Sequence, residues 1–218
     1  MKGLVIIGAS GQGKVIADIA TKNGYTEIIF LDDNANMKAC GEYKVVGNCK
    51  CAWQYKDSDF IIAIGNATIR KKIQMQLMEA GLHIASLIHP DAVIADNVEI
   101  GTGTVIMAGA VINPYTKIGQ GCIINTCSSV DHDCVIGDFV HVSVGSHIAG
   151  TVVVGDNTWI GAGATVSNNV EIASDCMIGA GTVVIKNIEE ADTYIGVPAR
   201  KMEMVKKFNK DFEGGYSS

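Results

Sequence analysis

The residues of this chain best suited to move a proton near neutral pH lie together in "SSVDHDCVIG", where His132 sits between Asp131 and Asp133. Imidazole is the side chain that titrates closest to neutrality, and a neighbouring carboxylate stabilises its protonated form. The trio reads either as a general base with an acidic partner or as a solvated turn histidine between turn-forming aspartates. Cys127 and Cys134 lie close by. Cys134 falls at an inward phase and reads as core, whereas Cys127 is a minor candidate nucleophile. Cys40, Cys49 and Cys51 match no zinc spacing and read as core and loop thiols.

A second candidate lies at the start of the chain. "GLVIIGASGQGKVIADIATKNGY" reads as strand over 5–7, glycine loop and helix over 14–23. The glycines Gly8, Gly11 and Gly13 depart from the G-x-G-x-x-G dinucleotide fingerprint, and no Ser or Thr follows Lys14 as a P-loop demands. A helix N-terminus can still hold a phosphate, and Asp32, about 20 residues on, can hold a ribose or base. The alternative is a glycine turn that merely packs a helix on a strand. "DFIIAIGN" reads as a later strand, and "ATIRKKIQMQLMEAG" as a helix with its apolar stripe at Ile69, Ile73, Leu77 and Met78. The unit of about 85 residues is about half the length of a full dinucleotide fold, which argues against NAD and fits a mononucleotide or sugar nucleotide.

The element that must position His132 is a repeat. From Ile88, every sixth residue through Val184 is Ile or Val, and the residue four further on is always small or β-branched. A strand alternates sides with period two, so a period of six with inward aliphatics means a short strand followed by a sharp turn. Three such strands close one triangular coil of 18 residues, and stacked coils pair their strands in parallel around one axis. The run covers about 88–188 without a break in register. His132 lies two residues after an inward Val130, which places it at a corner facing out. One coil further on is Gly150, whose lack of a side chain leaves room and an N–H beside the imidazole for a carbonyl oxygen.

Composition agrees with such a core. Of the 218 residues 25 are Gly and only 6% are aromatic, so the interior is built from Val, Ile, Ala and Thr rather than rings. The net charge of −6, with Lys and Arg scattered, argues against nucleic acid as a partner. No apolar run is long enough to span a bilayer or form a signal peptide, which makes a cytoplasmic protein without membrane contact the expectation. The expected divisions are 1–85 (α/β, Rossmann-like), 86–190 (parallel β-helix) and 191–218 (extension and tail), with "FEGGYSS" read as mobile.

The repeat resembles the left-handed β-helix of the hexapeptide-repeat acyltransferases. "GASGQGKV", "FLDD", "NTCSSVDHDCVIGDFVHVSVG" and "IGVPARKM" together resemble the bacillosamine and perosamine N-acetyltransferases and the sialic acid O-acetyltransferases of that class. The resemblance implies a homotrimer with active sites between subunits. It implies acetyl-CoA as co-substrate and no metal. The implied acceptor is a nucleotide-linked 4-amino-4,6-dideoxy sugar, UDP being the expected nucleotide, in surface-glycan or protein glycosylation. His132 matches the general base and Asp133 the acid that raises its basicity. Ser10, Gly11, Gln12, Asp32, Asp33, Gly65 and Asn125 match positions that meet the nucleotide sugar. His141, Gly150, Ala162 and Ala180 match positions that meet acetyl-CoA, and Arg200 and Lys201 are candidates for its phosphates. Two departures stand out: Asp133 replaces the common Glu, and Gln12 stands where the family commonly has His near the phosphates.

Three other readings compete. Sialic acid O-acetyl transfer uses the same histidine chemistry. A γ-carbonic-anhydrase-like zinc enzyme would need three converging histidines, and His132 is out of phase with His141 and His147. A non-catalytic sugar-nucleotide sensor would release no thiol with any acceptor.

Overall fold

The computed structural model describes residues 2–202; the tail beginning at Phe212 lies outside the described residues. The chain opens with β1 (Gly3–Ile7), α1 (Gly11–Lys22), β2 (Glu27–Leu31), β3 (Ala39–Cys40) and β4 (Tyr43–Gly47). A 3-10 helix (Cys49–Tyr55), β5 (Asp59–Ile62) and α2 (Ala67–Glu79) follow. The strand order is β3-β4-β2-β1-β5, parallel throughout except for the β3–β4 hairpin. The uninterrupted apolar run of β1 follows from burial on both sides. Leu4 and Ile6 pack with Ile16 and Ile19 of α1, while Val5 and Ile7 pack with Leu77 of α2 and Ala52 of the 3-10 helix. The helix expected over 14–23 starts three residues earlier, behind Ser10 as N-cap. The hairpin and the 3-10 helix have no counterpart in the hydrophobic pattern of the sequence.

The second helix corrects an expectation. It forms where expected, yet Ile69 and Met78 are 49% and 40% exposed, and its buried residues are Arg70, Gln74 and Leu77. Of the expected stripe, Ile73 and Leu77 cover the sheet. The face with Arg70 and Gln74 lies against corners of the repeat, which offer backbone carbonyls rather than an apolar surface.

Every strand of the repeat is two residues long, and each pairs in parallel with the strand 18 residues away, as in His141↔Trp159, Ser129↔His147 and Val135↔Val153. This builds three faces. The first holds His141–Val142, the second His147–Ile148 and the third Val153–Val154. The expected aliphatics and small residues form one continuous core from Ile106 to Ile188. Each corner contains a residue with positive φ, and the three corners fill that position differently. Between the first and second faces the column is Gly109, Cys127, Gly145, Gly163 and Gly181. Between the second and third it is Asn97, Tyr115, Asp133, Thr151 and Asn169, with no glycine. Apart from Cys127 the first column is bare, whereas the second carries a side chain at every position, although both need the same backbone conformation.

Candidate functional site

His132 occupies the corner between the second and third faces, with its side chain 55% exposed. Its Nδ1 lies 2.8 Å from Asp133 Oδ2. A carboxylate only accepts, so Nδ1 carries the proton and Nε2 keeps its lone pair. This bond, with the charges of Asp131 and Asp133 behind it, raises the imidazole pKa above its ordinary value. Asp131 acts on the backbone instead. Its Oδ1 accepts the His132 N–H at 2.8 Å and Asn113 Nδ2 at 2.7 Å, pinning the corner to the coil below. The two acids are therefore not equivalent. Asp133, one methylene shorter than Glu, reaches the ring because its own φ is +57°.

Gly150 lies directly beneath the ring. A Cβ there would come within 2.7 Å of His132 Cε1 and Nε2. Gly150 is buried, however, so the expected open N–H beside the imidazole is not found in the single chain: the imidazole itself occupies the room.

A second group converges along the bare corner. Asn125, His141, Ala162 and Ala180 line one open groove of about 420 Å³ with Trp159. The Thr126 N–H donates to Asn125 Oδ1 at 2.8 Å, which turns Nδ2 toward His141 Nε2 at 3.1 Å. His141 therefore accepts at Nε2 and holds its proton on Nδ1. Its strand phase predicts an outward, open side chain, but only 7% of it is exposed; its ring packs against Trp159 with centroids 4.6 Å apart. Burial, with the charge of Arg70 nearby, pushes its pKa down to about 4. Beside the groove, a Cβ at Gly145, Gly163 or Gly181 would meet nothing within 4 Å. Trp159 is absent from the candidates that motif and spacing supply. It is the one large aromatic at an outward strand position of the repeat, and that phase is its signal.

The third group is in the α/β unit. Gly8 has φ +104°, and a Cβ at Gly13 would lie 2.5 Å from the Gly8 oxygen, so both glycines are required by the turn. Gly11 has open space around it, and the Ser10 side chain caps nothing. Gln12 Nε2 is buried without an acceptor. Asp32 is bound up in the loop: Oδ2 accepts the Ala9 N–H at 2.7 Å and Oδ1 the Asn34 N–H at 2.8 Å. Asp33 accepts the Cys49 N–H at 3.0 Å, and both aspartates line a cavity of about 300 Å³ with Lys38 and Asn48. Gly65 is on a separate cavity of about 250 Å³, shared with His141 and Asn157, so the α/β unit meets the β-helix beside the groove.

Within one chain the predicted residues thus form three sets. His132, Asp133 and Gly150 occupy one corner, Asn125, His141, Ala162 and Ala180 another, and the remainder the α/β unit. Of the C-terminal candidates, Lys201 is paired with Glu190 at 2.8 Å and Asp192 at 3.0 Å, which commits it, while Arg200 is exposed. Cys127 is exposed and Cys134 buried. His147 pairs with Ser129 Oγ on the second face, away from His141. Among the described residues no group of three or more His, Cys, Asp or Glu side chains is arranged to hold a metal ion. No described helix is long and apolar enough to cross a membrane.

An 18-residue parallel coil with small corner residues defines the hexapeptide-repeat transferase class, and residues 151–186 match the bacterial transferase hexapeptide model. Residues 3–77 match the PglD N-terminal domain. The acetyltransferase domain of PglB from Neisseria gonorrhoeae FA1090, solved with acetyl coenzyme A, is 36% identical with a TM-score of 0.89, covering 92% of this chain and 99% of that one. PerB from Caulobacter crescentus, solved with CoA and GDP-perosamine, is 35% identical with a TM-score of 0.86, covering 93% and 98%. UDP-N-acetylbacillosamine N-acetyltransferase from Bacillus subtilis (strain 168) is 35% identical over 113 residues, 50% of this chain and 52% of the relative. The match spans about half the length of the curated relatives. The chain belongs to the bacillosamine and perosamine N-acetyltransferase family.

Proposed function

We propose that the protein transfers an acetyl group from acetyl-CoA to the 4-amino group of a nucleotide-linked 4-amino-4,6-dideoxy sugar, with UDP as the nucleotide. The observation that carries this reading is the His132–Asp133 pair, held at 2.8 Å through Nδ1, which makes Nε2 the nitrogen that accepts a proton when the ring is neutral. A sugar amine is largely ammonium at neutral pH. The ammonium first gives up one proton to solvent; His132 takes the second as the neutral amine attacks the thioester carbon, Asp133 stabilises the resulting imidazolium, and the imidazolium returns that proton to the departing thiolate. The attack is direct: the amine forms the amide bond, the tetrahedral intermediate collapses, and the CoA thiolate leaves and is protonated. No acyl-enzyme on Cys127 is needed.

The bare corner supplies the co-substrate groove. Its glycine column lets a long flexible chain lie close along the coils past Ala180 and Ala162, toward Asn125 and the neutral His141. The sugar nucleotide is held by Ser10, Gly11, Gln12, Asp33 and Gly65, while Asp32 shapes their loop. His132 and this groove occupy different corners, so the reading requires a second copy of the chain to bring His132 of one protomer against the groove of the next. A homotrimer with three shared sites meets that requirement.

The test is thiol release by the purified protein with acetyl-CoA and a panel of UDP-, dTDP- and GDP-linked 4-amino sugars, with free and CMP-linked sialic acid alongside. Turnover on one amino sugar is expected, reduced roughly 10²–10⁴-fold by His132→Ala. Turnover on sialic acid alone moves the protein to O-acetyl transfer. Full activity in His132→Ala removes the base assignment.

A further inference from the structure

Arg70 is the largest fully buried side chain of the described residues, at 1% exposure, and has no carboxylate partner among them. Burying a guanidinium is costly unless its N–H groups are all engaged. Here they find carbonyls. Nη1 donates to Ile64 O and Gly65 O, both at 2.8 Å. Nε donates to Gly121 O and Nη2 to Phe139 O, both at 2.7 Å. The first pair belongs to the β5–α2 loop, one turn before Arg70. The second pair belongs to two successive coils, at the left-handed positions of the corner between the third and first faces. One turn further along α2, Gln74 Nε2 donates to Thr102 O of the preceding coil at 3.1 Å. The buried face of α2 thus binds the carbonyls of three stacked corners.

The planar fork of arginine fixes two pairs of acceptors at once, and a flexible lysine does not. One side of the fork holds Gly65, which lines a cavity with His141; the other holds the coil that leads directly, through Val140, into His141. The β-helix has an interior core of its own, and apolar packing of Leu87, Val105, Met107 and Ile123 against the α1 side of the sheet already joins the two units, so Arg70 is not their only link.

We propose that Arg70 is a positioning residue: it locks the Gly65 loop at a fixed distance from the His141 groove, so that a sugar held by its nucleotide presents its amine at the thioester. The proposal rests on the acetyl-transfer reading. Effective molarity depends on this kind of fixed geometry, and small misplacements lower the rate steeply. The charge of Arg70 also helps to keep His141 neutral, a secondary consequence of the same placement.

The experiment compares wild type, Arg70→Met and Arg70→Lys on two acceptors: the nucleotide-linked amino sugar, and the same amino sugar as a methyl glycoside at high concentration, which makes no use of the α/β unit. Arg70→Met is expected to lower kcat on the nucleotide-linked acceptor by about 10²-fold. The methyl glycoside should keep its slow rate within about 2-fold, and Arg70→Lys should restore part of the loss. Equal loss on both acceptors, or no loss on either, overturns the proposal. Amide hydrogen exchange decides the clamp independently of turnover. Arg70→Met should speed exchange over 63–69 while leaving 3–7 and 141–142 protected. Unchanged exchange at 63–69 refutes the clamp, even if wild type acetylates no acceptor and the acetyl-transfer reading falls by itself.

Discussion

Both neighbours of His132 carry charge that favours its protonated form, but only one of them touches the ring. Asp133 accepts from Nδ1, whereas Asp131 accepts from the His132 backbone and from Asn113. The first contact has the larger effect on the ring, and Asp131 adds only its charge. A base works unprotonated, so a pKa raised by Asp133 means that activity rises with pH through a value above the ordinary histidine range. In Asp133→Asn that support is lost. The acid limb of kcat/KM should move to lower pH while the plateau falls roughly 10–100-fold. A pH–rate profile checks both, and an unmoved acid limb rules out the pairing as the source of basicity. The sequence displays this pair as adjacent residues. It does not reveal which aspartate has which role, because both lie next to the ring in the chain and only the left-handed backbone at Asp133 separates them.

At the scale of elements, the repeat is legible in full because its period is unambiguous and each inward position carries an aliphatic. The α/β unit is legible as far as β1, β5 and the two helices. The β3–β4 hairpin is not, since β4 alternates between half-buried and exposed and β3 buries only Cys40. The face of α2 departs from its apolar stripe because it buries Arg70 and Gln74, and hydrophobic periodicity cannot register a surface made of hydrogen bonds. His141 departs from expectation for the converse reason. Its strand phase points outward, but Trp159 and Asn125 on the repeat and the α/β unit beside them make outward mean buried. That burial has a measurable consequence. The unfolded imidazole takes up a proton near pH 6.5, whereas the folded one resists until about pH 4, so stability is present above pH 6.5 and is lost as pH falls toward 4. The shift is worth about 3 kcal/mol. Urea unfolding at pH 7 and pH 4.5 should show a loss in wild type larger by that order than in His141→Gln. Equal losses would mean that His141 is not held neutral.

For the whole molecule, the separation of His132 from the groove leads to a mixing prediction. His132→Ala leaves its groove intact, and Ala162→Trp fills the groove while leaving its histidine intact. If each site draws one part from each of two protomers, co-refolded mixtures of the two inactive variants should recover about a quarter of wild-type turnover. No recovery in mixed trimers would mean that each chain forms its own site. The resemblance in sequence points to a trimer; the reason for one becomes legible only when the two corners are seen to face apart. The unbroken 18-residue pairing has one more consequence, for how such a chain can change its length. Between Asn125 and Ala180, extra residues wound into the coil in any other number would turn every later strand onto the wrong face, whereas a whole coil would leave all stacking intact and move the two ends of the groove apart by about 4.8 Å. The reach between Asn125 and Ala180 is therefore a quantised dimension: selection can lengthen or shorten this protein's hold on a chain-like ligand only in whole steps, like rungs added to a ladder.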